Sequence, residues 1–203
     1  MRIAIVVLLM SAALVSTEKR ADAGDEAIIR VRLYDYADIS PATINDAQRL
    51  AAKFYSEIEL TVDWAPTFRP HGRKNGAHDP GILQDYTINI LSASMVARTH
   101  WPPDALGSAV VTPTGGGKIA YVLYDRLKAA AFASGWPVKD LLAVVIAHEL
   151  GHLILGPGSH SPDGLMRGSW DVSELRRMRP DSFAFTREQL ALIEERVTRV
   201  AAQ

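Results

Sequence analysis

The sequence predicts one α+β domain, and three observations carry that expectation. Five runs rich in β-branched and aromatic residues lie between positions 27 and 124, with one amphipathic helical stretch after the first of them. A nearly continuous apolar run, Leu141 to Ala147, then opens a long helix that is broken by Gly156-Pro157-Gly158. A last amphipathic stretch closes the chain. Strands collected together, with helices on one side, are the pattern of an α+β architecture. At 203 residues and 48% apolar composition, a single domain of ordinary size is expected, without repeats or a low-complexity linker.

The elements follow in chain order. Arg2 precedes the apolar run from Ile3 to Met10, and apolar character persists to about Val15. That is the charged start and short hydrophobic core of a signal peptide, too short for a membrane span. Ala21-Asp22-Ala23 offers a small-x-small cleavage site, so residues 1–23 read as a signal peptide and 24–203 as the mature domain. The protein is then secreted or periplasmic; an uncleaved anchor is the alternative. The absence of cysteine suits an exported bacterial protein better than a small disulfide-stapled one.

Residues 27–36 read as the first strand. Ser40-Pro41 starts a helix as a cap residue followed by proline at the first position. Ile44, Ala47, Leu50, Ala51, Phe54 and Ile58 form its apolar stripe. Strands are expected at 60–64, 86–91, 109–112 and 118–124. The glycine turn at 115–117 and Lys118 lack the spacing and following helix of a phosphate-binding loop. The long helix begins near Val138, and the last runs over 186–200 with Leu190, Ile193 and Val197 on one side.

His148-Glu149-Leu150-Gly151-His152 lies on the long helix. Residues four apart on a helix point the same way, so the two imidazoles face one spot with Glu149 beside them. On so apolar a helix three polar side chains are costly to bury unless something pairs them, and a metal ion does so. A catalytic zinc takes three protein ligands and keeps one position open. After the Gly156-Pro157-Gly158 stop, the chain can bring His160 back as the third ligand. Pro162 and Gly164 then make a tight turn ending at Leu165-Met166. Asp163 or Glu174 would be the substitute for His160.

With these residues the chain resembles the metzincin zinc endopeptidases, whose signature is H-E-x-x-H-x-x-G-x-x-H followed by a methionine turn. Its downstream stretch is most similar to the matrixins, in which serine follows the third histidine and Leu-Met comes soon after. Four departures are plain: Gly156 comes one residue late, His160 comes two residues late, the turn from His160 to Met166 is shorter than in matrixins, and no proline follows Met166 at the usual place. The resemblance implies a twisted mixed sheet packed on two helices above a zinc cleft. A small helical C-terminal subdomain would lie below it, dividing the domain into 24–156 and 157–203.

The resemblance implies a zinc-dependent endopeptidase with zinc on His148, His152 and His160 and Glu149 as general base, then general acid. Substrate would lie along the edge strand near residues 108–112, and residues 167–170 would wall the pocket beyond the cut bond. The alternatives are a non-catalytic zinc-stabilised binding protein and a zinc peptidase outside the metzincins with Glu174 as third ligand. A polar loop at 69–81 holds His71, His78 and Asp79 and reads as a solvated basic loop rather than a second, structural zinc site.

A net charge of −1 gives no sign of a nucleic-acid or membrane-surface partner. The expected partner is a peptide or protein substrate, met by a monomer with no stable membrane association after signal cleavage. Matrixins are held latent by a propeptide cysteine, which this chain lacks. Activity would be present from the start or restrained by a separate inhibitor.

Overall fold

Among the described residues, five strands form one mixed sheet: β1 (Ala27–Asp35), β2 (Leu60–Trp64), β3 (Gln84–Leu91), β4 (Gly107–Val111) and β5 (Gly117–Leu123), in the order β2-β1-β3-β5-β4. The computed structural model describes residues 27–68, 84–113, 116–179 and 182–201. The expected signal peptide at 1–23 and the polar loop at 69–81 lie outside the described residues. β1 runs parallel to both β2 and β3, β3 runs parallel to β5, and β4 alone is antiparallel. Alternation in β1 sets its two faces. Ile29, Val31, Leu33 and Asp35 are buried, while Arg30 and Arg32 reach across the other face to Asp63 (2.8 Å) and Asp85 (2.9 Å).

Two helices do most of the covering. In α1 (Pro41–Lys53), Ser40 caps the start by accepting from the Thr43 backbone N–H, and Ile44, Ala47 and Ala51 are buried. α4 (Val138–Leu155) is apolar all round and buried all round: from Leu141 to Leu155 only His152 is not fully buried. Tyr55, just after α1, donates its hydroxyl to the Ala147 carbonyl of α4 at 2.7 Å.

The sequence reading missed α3 (Tyr124–Ser134) and the one-turn helices α2 (Ala93–Val96) and α5 (Val172–Leu175). β5 passes straight into α3 through Leu123, with no capping side chain to announce the change. The helix buries only Leu127, Ala131 and Ser134 and leaves Phe132 91% exposed, so its apolar pattern is weak. The final helix, α6 (Arg187–Ala201), buries Ile193 and Val197, and its Arg196 donates to the Ile154 carbonyl at the end of α4. Gly156 ends α4 where the subdomain boundary was expected, yet residues on both sides of it share one apolar core.

Candidate metal centre

His148 and His152 lie one turn apart near the end of α4, and their Nε2 atoms approach to 3.0 Å. The opposite ring nitrogens are held. His148 Nδ1–H donates to the Leu165 carbonyl at 2.7 Å, since a carbonyl can only accept. Ser159 gives its hydroxyl proton to the Gly156 carbonyl (2.9 Å) and accepts from His152 Nδ1–H (2.8 Å). Both Nε2 atoms therefore carry lone pairs, and the two lone pairs face one spot.

The third histidine reaches the same place. Gly156 (φ 80°) and Gly158 (φ 71°) take backbone conformations that side chains disfavour, and they turn the chain back after the helix. His160 then stands with its ring 4.7 Å from that of His152 and 5.6 Å from that of His148. One ring nitrogen from each of the three lies within 4.8 Å of the others. The two added residues widen the loop without displacing its histidine. Gly168 gives His160 room, because a Cβ there would lie 3.1 Å from Nδ1.

Burial tunes the group. It pushes His148 down to about 4, helped by the nearby His160, and His152 down to about 3, helped by His148 and His160. The imidazoles thus stay neutral near pH 7, the state a metal ligand needs. Burial alone pushes Glu149 up to about 8, and its Oε2 has no hydrogen-bond partner among the described residues. Convergent lone pairs beside an unpartnered buried carboxyl are what a divalent cation and its attendant water would satisfy. Three imidazole nitrogen donors suit zinc among the divalent cations.

The surroundings leave Glu149 space on one side only. Gly107 of β4 lies against it so closely that a Cβ there would be 2.5 Å from Oε1. Met166 is fully buried beneath α4, where a Cβ on Gly151 would be 2.5 Å from its sulfur. A cleft of about 560 Å³ opens over the three histidines, bordered by Gly107 to Ala109 of β4 and, opposite, by Arg167 to Trp170. The Trp170 ring meets His148 edge-on at 5.1 Å.

The substitute ligands are not brought here. Glu174 pairs with Arg167 at 2.6 Å and accepts from the Asp171 backbone in the capping box of α5. Asp163 is exposed on the turn, and its carbonyl takes the Ser161 hydroxyl. Sequence reasoning also missed Ser159, Gly107 and the Leu165 carbonyl. Backbone carbonyls leave no mark in sequence, and a serine between Gly158 and His160 looks like an ordinary loop residue.

No protein-family model matches the chain, and no curated protein matches it either. Among solved structures, archaemetzincin from Methanopyrus kandleri aligns over 88% of this chain and 99% of its own, with a TM-score of 0.52 and 18% identity. The fold is archaemetzincin-like. The expected α+β arrangement of a mixed sheet with helices holds for this chain. The three histidines therefore converge within an archaemetzincin-like frame.

Proposed function

We propose that the protein is a zinc-dependent endopeptidase. One observation carries the reading: three imidazoles present their ligand nitrogens to one point, beside a buried carboxyl whose Oε2 has no hydrogen-bond partner among the described residues, in an open cleft. His148, His152 and His160 would hold the ion. When bound, zinc supplies a Lewis acid that polarises the scissile carbonyl, steadies the developing oxyanion and acidifies a water. Glu149 takes the proton from the attacking water and returns it to the leaving amine.

β4 is the outermost strand next to the cleft, so an extended peptide laid against it adds a strand to the sheet. Arg167 to Trp170 form the opposite wall and receive the side chain beyond the cut bond. The matrixin-like subtype rests on Ser161 after the third histidine and on Leu165-Met166. Export rests on residues 1–23, and Glu149 in the motif favours an enzyme over a purely structural zinc site.

The test is zinc content together with casein or gelatin cleavage, for the mature protein and for Glu149→Gln. One zinc in each, with cleavage reduced by about 10² to 10⁴ in the variant, is the expected result. A protein that binds no zinc, or a variant that cleaves as well as wild type, would sink the reading.

A further inference from the structure

His148 and His152 are oriented by different kinds of partner. His148 leans on a main-chain carbonyl, that of Leu165, which no side-chain substitution removes. His152, which is only half-buried, leans on the hydroxyl of Ser159, in the part of the loop where the chain departs from the metzincin spacing. That hydroxyl is itself committed, because it donates to the Gly156 carbonyl at 2.9 Å. Its only remaining role toward His152 is acceptor, and this fixes the proton on Nδ1 and the lone pair on Nε2.

Ser159 is in turn anchored from α6. Gln189 donates from Nε2 to the Ser159 carbonyl at 3.0 Å. The amide cannot turn over, since its Oε1 accepts from the Thr186 backbone N–H at 2.9 Å while the Gln189 N–H binds Thr186 Oγ1 at 3.2 Å. This reciprocal cap at the start of α6 is the Thr-x-x-Gln pattern of a capping box. A continuous set of hydrogen bonds therefore runs from the α6 cap through Gln189 and Ser159 to the His152 ring.

We propose that Ser159 is a positioning residue for His152, holding its Nε2 toward the metal, and that the lengthened loop supplies it. The proposal rests on the zinc reading above. Partners of this kind set both the tautomer and the ring direction of a ligating histidine, and their loss commonly weakens metal binding about 10- to 100-fold.

The test compares wild type, Ser159→Ala and Ser159→Thr. Zinc affinity is measured by chelator competition, the His152 tautomer by ¹⁵N NMR of the zinc-free protein, and the melting temperature of the zinc-free protein as a control. Ser159→Ala should bind zinc at least about tenfold more weakly and lose the fixed Nδ1–H form of His152. Its zinc-free melting temperature should fall by no more than about 4 °C, the value of one hydrogen bond in a chain of this size. Ser159→Thr, which keeps the hydroxyl, should restore both affinity and tautomer.

Wild-type affinity and tautomer in Ser159→Ala would overturn the assignment, as would equal weakening by alanine and threonine. Failure of the wild type to bind zinc would instead overturn the peptidase reading. The tautomer of His152 in zinc-free Ser159→Ala would still decide what Ser159 does.

Discussion

Glu149 combines deep burial, an oxygen with no partner among the described residues and a glycine pressed against its other oxygen. Burial raises its pKa from 4.5 to about 8, so the folded protein keeps a proton that the unfolded chain releases across that range. The stability this contributes is complete below pH 4.5 and is lost as pH rises through 8. Glu149→Gln has nothing to lose there. In chelator, its stability relative to wild type should climb from pH 5 to 8 by up to about 1.4 kcal/mol per pH unit and level off above. Urea unfolding of both proteins at several pH values measures this, and a constant difference would contradict it. The histidines are common to both proteins and cancel.

Gly107 makes a second prediction at the same scale. A methyl there must displace the Glu149 carboxylate, since it would lie 2.5 Å from Oε1 and 2.8 Å from Cδ. Gly107→Ala should keep its zinc but lose about 10²-fold in kcat/KM, the usual consequence of misplacing a reacting group by about 1 Å. Zinc content and kinetics, measured together, separate this outcome from simple loss of the metal.

α4 has a double duty among the elements, as the central helix of the core and as the carrier of two of the three histidines. Its apolar surroundings hold the backbone at residues 147–152 still, which a metal site needs. Tyr55 contributes through its bond to the Ala147 carbonyl, immediately before His148. Tyr55→Phe should destabilise the protein by about 1 kcal/mol, by denaturant unfolding, with zinc stoichiometry unchanged. Ile146→Ala, which empties a fully buried position in the same helix, should cost about 2–5 kcal/mol. α6 supports the other end of α4 through Arg196, and the histidine-bearing loop through Gln189.

For the molecule as a whole, the core is continuous from β1 through α4 to Phe183, Phe185 and Val197. The candidate metal centre lies where the main body of the fold meets the C-terminal segment. His148 and His152 come from one side of Gly156, while His160, the Leu165 carbonyl and Met166 come from the other. Zinc should therefore tie the two parts together. Since only the folded protein presents the assembled ligands, zinc at 100 times its Kd should add about 2.7 kcal/mol to stability. Calorimetry with and without chelator should show the melting temperature fall on zinc removal and return on its restoration. An unchanged melting temperature would mean that the ion is not shared by the two segments.

The sequence by itself determined the parts whose signals are local. Alternation marked β1, Ser40-Pro41 marked the start of α1, and the apolar run from Leu141 marked a buried helix. His148, Glu149 and His152 could be placed together because helical spacing alone puts them on one face. His160 was legible as a candidate because glycines and a proline turn the chain just before it. Only the tertiary structure decided that His160, and not Asp163 or Glu174, meets the other two, because long-range packing rather than local spacing sets where a loop returns. It also decided the strand order that puts β4 at the edge, the passage of β5 into α3, and the partners of the ring nitrogens. Those partners are a main-chain carbonyl and a loop hydroxyl. Each acts through closeness in space between residues distant in the chain or through backbone atoms common to every residue, which is why pattern alone does not show them.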